Sequence, residues 1–301
     1  MADKQEKKFG LVGVFKELRK NVTALIGLVL ILILLFAALF TIVDQTFFDR
    51  QLIDSFLHDP LEMQFSKMME PPSSAHPLGL DKYGRDILAR LIYGSKIAVQ
   101  VGVIATGIAI VLGVIVGTIA AYYGGRIDDT LMRIMEVLYS IPGLVLALTM
   151  MAALGPSVIN AMIAVGVIRV PSYARVIRSR ALSVSSKEYI KAAQAYGSGD
   201  FRIIFRHVLP NSVAPVIIQA SLGIGSAIIT VASLSFLGFG VQPPTPSWGR
   251  LLSSGRDVLL VAPHIATFPG IAILFAVMGF NLFGDGLRDI LDPKLRGESM
   301  V

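Results

Sequence analysis

Apolar residues in this chain gather into six long runs separated by polar, charge-bearing segments. Val22 to Val43 and Ile97 to Tyr122 contain no charge. A third run extends from Ile134 to Leu154, with Glu136 near its start and Pro142 inside it. A fourth, Ser157 to Ala174, holds Arg169 and Pro171 in its second half. The fifth and sixth are Val213 to Phe239 and His264 to Phe283. An α-helix needs about 20 mostly apolar residues to cross a hydrocarbon core, and it satisfies its own backbone polar groups on the way. The pattern therefore predicts an all-α integral membrane protein with six transmembrane helices. The first run is longer than a signal-peptide core and lacks a small-x-small cleavage pattern before Asp44, so it reads as a retained span. Ahead of it, Phe9, Leu11, Val12, Val14, Phe15 and Leu18 recur at helical spacing among Lys16, Arg19 and Lys20. That segment is either an amphipathic helix on the membrane surface or a basic tail.

Composition agrees with this reading. Of 301 residues, 54% are hydrophobic and only 16% charged, too little charge to cover a soluble domain of this length. The net charge of +6 does not point to nucleic acid, because the basic residues sit at the ends of apolar runs. Zero cysteines exclude a disulfide scaffold, a Cys-ligated zinc and a Cys nucleophile.

Lys and Arg also set the orientation, since they collect on cytoplasmic loops. Lys4, Lys7, Lys8, Lys16, Arg19 and Lys20 precede the first run and place the N-terminus in the cytoplasm. Six spans return the C-terminus there, with Arg288, Lys294 and Arg296. The 2–3 loop carries Arg126 and Arg133, and the 4–5 loop carries Arg175, Arg178, Arg180, Lys187, Lys191, Arg202 and Arg206. The 1–2 loop leans acidic and falls outside, as does the Pro-rich 5–6 loop, Gly240 to Pro263. The expected division is a cytoplasmic basic segment over 1–21, a first span over 22–43 and an extracytoplasmic loop over 44–96. A five-span core follows over 97–286, with a cytoplasmic loop at 177–212, and a cytoplasmic tail over 287–301.

Within the second span, Ala105, Ala109, Gly113, Gly117 and Ala121 recur every fourth position and form a ridge. Small residues let helices approach closely in lipid, so the ridge predicts a packing face. Pro142, Pro171 and Pro269 are expected to kink or end their helices. Glu136 and Arg169 are the intramembrane charges, each free to snorkel or to pair locally. No chain of acids and histidines runs through the spans, so a proton-coupled pump is disfavoured.

The 4–5 loop is too patterned for a mere connector. Ser185 and Ser186 before Lys187 and Glu188 read as a helix start. Glu188 to Tyr196, with Ala192, Ala193 and Ala195, is helix-permissive, and Gly197 supplies the stop. Asp200 opens a second short helix, Phe201 to Val208, which Pro210 ends. Two short helices joined by a Gly turn suit either a docking element or a cap on the bundle.

The same stretch resembles the EAA loop of ATP-binding-cassette importer permeases. The match rests on Lys191-Ala192-Ala193, Gly197 and Leu209-Pro210, with Lys191 where an acid is usual and His207 where Ile precedes Leu-Pro. Further motifs resemble the dipeptide/oligopeptide/nickel permease branch. These are His76-Pro77-Leu78-Gly79 through Gly84-Arg85-Asp86, Leu91-Ile92-Tyr93-Gly94, and Pro171-Ser172-Tyr173-Ala174-Arg175 after Val170. Ser235 to Pro244, Pro246-Ser247-Trp248-Gly249 and Gly284-Asp285-Gly286-Leu287-Arg288-Asp289 continue the likeness, as do Asp292-Pro293 and Leu295-Arg296. The external segment and the ending resemble the C-type subunit.

The resemblance implies a multi-pass permease in a bacterial or archaeal cytoplasmic membrane. Its implied partners are a B-type permease subunit, two cytoplasmic ATPase subunits, an extracytoplasmic substrate-binding protein and the bilayer, with no nucleic acid. No cofactor belongs to this chain; ATP and Mg belong to the ATPases. The implied coupling residues are Glu188, Lys191, Ala192, Ala193, Gly197, Asp200, Arg206, His207, Leu209 and Pro210. The substrate path is not assigned.

Nothing in the chain suggests catalysis. It has no phosphate loop, no His-Glu-x-x-His and no Gly-x-Ser-x-Gly. His58, His76, His207 and His264 are scattered, which predicts no metal cluster. Asp285, Asp289 and Asp292 lack calcium-loop spacing. The expected function is thus the permease subunit of an ATP-driven di- or oligopeptide importer. The alternatives are a nickel or metal-chelate importer of the same branch, a stand-alone channel or secondary transporter, and a structural scaffold.

Overall fold

The computed structural model describes residues 18–19 and 21–291. The amphipathic lead-in and the motifs at Asp292-Pro293 and Leu295-Arg296 lie outside the described residues. Helix α1 (Val22–Phe47) starts where Asn21 accepts a hydrogen bond from the Ala24 amide. A short α2 (Gln51–Phe56) follows, then α3 (Ile87–Tyr123), α4 (Gly125–Ser140), α5 (Gly143–Leu154) and α6 (Val158–Ser185). Two loop helices come next, α7 (Glu188–Ala195) and α8 (Asp200–Ile203), the latter continuing as a π-helical turn over Ile204–Val208. The chain closes with α9 (Ala214–Phe236), α10 (Trp248–Arg256) and α11 (His264–Leu291). Among the described residues the one β-type pairing is an isolated bridge between Leu80 and Asp86.

Among the described residues, four helices, α1, α3, α9 and α11, are long and apolar enough to cross a membrane. The third apolar run differs from the expected continuous span. It breaks between α4 and α5, which meet at 90° and together would make a fifth crossing. Pro142 causes the break: it donates no amide hydrogen and forces Ile141 into extended backbone (φ −85°, ψ 129°). By contrast, α6 and α11 run through Pro171 and Pro269 as single helices. Helix α6 has 28 residues but carries Arg169, Arg175, Arg178 and Arg180, so hydropathy alone does not mark it as a span.

Helix α3 has 37 residues and starts well ahead of the run beginning at Ile97. Its cap is Asp86, whose side chain accepts from the Ala89 amide at 2.9 Å. It packs most extensively on α6. Ala105, Ala109, Gly113, Gly117 and Ala121 are all buried there. A Cβ added at Gly113 would lie 2.6 Å from Tyr173 Cβ, and one at Gly117 would lie 2.2 Å from the Ala174 carbonyl oxygen. Because the obstacle at Gly117 is backbone, no side-chain rotation relieves it. Gly117→Val is therefore expected to destabilise the bundle by about 1–3 kcal/mol or more. A lowered melting temperature of the detergent-solubilised protein checks this.

The end of the bundle holding residues 44–96 is folded rather than loose. Asp44, fully buried, accepts from the Leu52 and Ile53 amides at 3.0 and 3.3 Å and from Tyr93 Oη at 2.6 Å. Asp81 pairs with Arg85 at 2.8 Å, and Arg90 donates to the Pro60 carbonyl at 2.7 Å. Trp248 Nε1 donates to the Leu91 carbonyl at 2.8 Å and ties α10 to α3. The opposite end carries α4, α7 and α8.

Candidate functional site

The α6–α9 connection is helical and packed on the bundle. Helix α6 extends to Ser185, with Ser186 closing it and Lys187 preceding α7. The two serines thus end one helix instead of capping the next, contrary to the sequence expectation. Ser186 Oγ donates to the Ser183 carbonyl, and no side chain caps α7. The far end of α7 is a complete left-handed stop. Gly197 adopts φ +76°, its amide donates to the Gln194 carbonyl at 2.9 Å, and the Ser198 amide donates to the Ala193 carbonyl at 3.0 Å. This paired arrangement satisfies carbonyls that the helix end would otherwise leave open.

Helix α8 then begins with Asp200 in its first turn. Asp200 accepts from Tyr122 Oη at 2.8 Å, which fixes α8 to the last turn of α3. In the π turn the Leu209 amide reaches back to the Ile204 carbonyl at 2.8 Å. Ser212, fully buried, donates to the Val208 carbonyl and leads the chain into α9.

One face of this element is an anchor. Ile190, Ile203 and Val208 are buried in one cluster with Ala121 of α3 and Ala181 of α6. Ala193 is half-buried against the same cluster, so it supports the loop from within. His207 is half-buried edge-on to Tyr189, and Leu209 is half-buried near Tyr173 and Ile177. The other face is open: Glu188, Lys191, Ala192, Gly197, Asp200, Arg206 and Pro210 are exposed.

Sequence reasoning missed the aromatic residues on this open face. Tyr196 is 91% exposed and Phe201 75%, far above what an apolar ring needs for mere packing. Phe205 stacks on Phe201 with ring centroids 4.4 Å apart. Their spacing of four places both rings on one helical face, a signal already present in the sequence. Tyr122, the other missed residue, carries no local signal, because its partner Asp200 is distant in sequence.

Arg169 pairs with no acid among the described residues. It donates to the Gly223 carbonyl at 3.3 Å and to Ser226 Oγ on α9. Glu136 pairs with Arg133 at 3.2 Å on an exposed face of α4. Nearby, Arg178 binds Asp128 through two nitrogens, joining α6 to α4, and Arg175 lies over the Tyr139 ring at 3.8 Å.

At the opposite end, folding gathers histidines that the sequence scatters. His58 and His76 stack with centroids 4.4 Å apart, and His76 Nδ1 lies 2.9 Å from Asp86 Oδ2. Donor atoms of these three residues lie within 4.8 Å of one another. The expectation that the histidines cannot cluster is thus corrected: the 44–96 connection folds back and brings two of them together. His58 Nε2 also faces the Ala75 carbonyl at 3.3 Å, and Asp86 Oδ1 is used by the Ala89 amide. The group works as a hydrogen-bonded brace for the start of α3. Beside it, Lys82, Arg85, Arg90, Arg250 and Asp257 line a cavity of about 340 Å³.

Residues 109–297 match the family model described as binding-protein-dependent transport system inner membrane component. The dipeptide transport system permease protein DppC of Alkalihalophilus pseudofirmus is 43% identical over 94% of this chain and 89% of its own length. The glutathione transport system permease protein GsiD of Pectobacterium atrosepticum is 44% identical over 77% of each chain. The probable D,D-dipeptide transport system permease protein DdpC of Escherichia coli is 44% identical over 80% of this chain and 81% of its own. Among solved structures, a chain of the MetNI methionine ABC transporter in an inward-facing form shares the fold. It superposes with a TM-score of 0.56 at 17% identity, covering 67% of this chain and 96% of that one. With its apolar helices and its match over most of its length, the chain belongs to the family of binding-protein-dependent transport system inner membrane components.

Proposed function

We propose that this chain is the C-type permease subunit of an ATP-driven importer of di- or oligopeptides. The observation that carries the coupling part is the two-faced α7–α8 element. Its inner face is packed against the ends of α3 and α6, while its outer face offers Tyr196 and Phe201 to a partner. Interfaces draw their energy from such aromatic anchors. An ATPase subunit that seats these rings and moves on binding ATP would displace α3 and α6 as packed bodies, a discrete switch of the kind rigid helices transmit. The peptide part rests on relatives named for dipeptide, glutathione and D,D-dipeptide transport; these names favour peptide over nickel.

In this reading six spans cross the bacterial inner membrane: α1, α3, the α4–α5 pair, α6, α9 and α11. The N- and C-termini and α7–α8 lie in the cytoplasm, where Lys and Arg concentrate. A B-type permease completes the path, and two ATPase chains bind ATP and Mg. The binding protein docks outside, on the end of the bundle that holds the cavity lined by Lys82, Arg85, Arg90 and Arg250. The test is uptake by the reconstituted complex with its binding protein. Labelled dipeptide is expected to accumulate in an ATP-dependent way, while nickel does not. Nickel accumulation without peptide accumulation would overturn the substrate assignment.

A further inference from the structure

Arg169 lies eleven residues into α6, about 16 Å along the helix axis, or roughly half of a ~30 Å hydrocarbon core. A charge at such depth is costly unless it faces a polar path. Its immediate surroundings leave it only partly satisfied. Two guanidinium nitrogens reach the Gly223 carbonyl and Ser226 Oγ, while Nε is buried without a hydrogen-bond partner. No carboxylate neutralises it among the described residues.

The face beside it is polar along its length. Gln219, Ser226, Thr230 and Ser233 of α9 follow spacings of seven, four and three, which places them on one helical stripe. Gln219 Nε2 donates to Ser172 Oγ of α6 at 2.6 Å, so the stripe spans both helices. Thr230 and Ser233 donate to carbonyls four residues back on α9. Their oxygen lone pairs are thereby left as acceptors. Ser226 is exposed, and Thr230 and Ser233 are half-exposed.

A cation without a counter-ion, set in a row of hydroxyl acceptors, complements a molecule with one carboxylate and several N–H donors. We propose that the α6–α9 stripe lines the translocation path and that Arg169 receives the carboxylate of the passing peptide. This inference rests on the peptide-import reading and adds to it a substrate-contacting residue. A fixed positive charge suits the role, because it attracts the carboxylate whichever cationic side chain carries it.

The test compares Arg169→Lys and Arg169→Gln in the complete transporter, reconstituted with its binding protein and ATPases. Labelled dipeptide uptake and recovery of assembled complex are read together. Arg169→Gln is expected to lower uptake at least tenfold at unchanged recovery, and Arg169→Lys to stay within threefold of the parent. Parent-like uptake by Arg169→Gln overturns the inference, as does equal loss in both variants, which would mean shape matters and charge does not. If Arg169→Gln does not assemble, Thr230→Val decides: a threefold or larger rise in peptide KM is expected, and an unchanged KM overturns the stripe. A parent complex that hydrolyses ATP yet carries no peptide refutes the peptide reading itself and removes the basis of this one.

Discussion

Phe201→Ala is expected to weaken binding of the ATPase subunit about 30-fold while leaving the permease folded. Phe201 is 75% exposed, so the fold loses little when its ring is removed. The loss falls on the interface, where truncating an aromatic anchor costs about 2 kcal/mol or more. Tyr196→Ala is expected to act in the same direction, since that ring is 91% exposed on the same element. Lys191→Ala is the contrasting control. Lys191 is exposed and forms no ion pair among the described residues, and surface pairs contribute only ~0–1 kcal/mol. ATPase retention on immobilised permease, measured beside the melting temperature, checks all three. Ala193→Arg is a poorer probe, because Ala193 packs against Ile190, Ile203 and Val208 and its replacement would deform the loop itself.

Asp44→Ala is expected to be the most damaging single change to stability. Its carboxylate is fully buried and is the shared acceptor for Tyr93 Oη and two amides of α2. Removing it leaves two buried donors, the Ile53 amide and the Tyr93 hydroxyl, without a partner at about 1–3 kcal/mol each, and the half-buried Leu52 amide at less. The effect should localise to one end of the bundle: α2 and the first turns of α3 lose protection from hydrogen exchange while the α3–α6 seam keeps it. Tyr93→Phe removes one of the three hydrogen bonds and is expected to show a smaller shift in the same region. Uniform loss of protection across α3 and α6 would count against this local account.

The spans were legible wherever hydrophobicity was uninterrupted. Helices α1 and α9 begin and end near their apolar runs, and α11 begins at its own, because lipid-facing segments must be apolar throughout. The start of α3 was hidden for the opposite reason. Arg90 and Lys96 interrupt the run, and Arg90 is stabilised by the Pro60 carbonyl and Asp81, partners that only the folded 44–96 connection brings near. Asp86 was a readable cap in principle, placed three residues before the amide it binds. The α4–α5 break was half legible: Pro142 announces a disturbance, but its angle depends on how α4 packs on α6 through Asp128 and Arg178.

In the loop, Gly197 and Asp200 punctuate the chain by local chemistry and could be read directly. Which of Ala192 and Ala193 faces inward could not, since that depends on the ends of α3 and α6. The stacked pair of His58 and His76 is likewise a product of long-range folding, invisible to any spacing rule.

The absence of native cysteine makes one measurement decisive for the coupling claim. A single cysteine introduced as Tyr196→Cys carries a unique thiol on the open face of α7, available to a short thiol-to-amine cross-linker in native membranes. Mass identification of the adduct is expected to return an ATP-binding subunit, with a yield that changes when ATP is added. An adduct confined to the permease chains, or none at all under conditions where the complex carries peptide, would contradict the account.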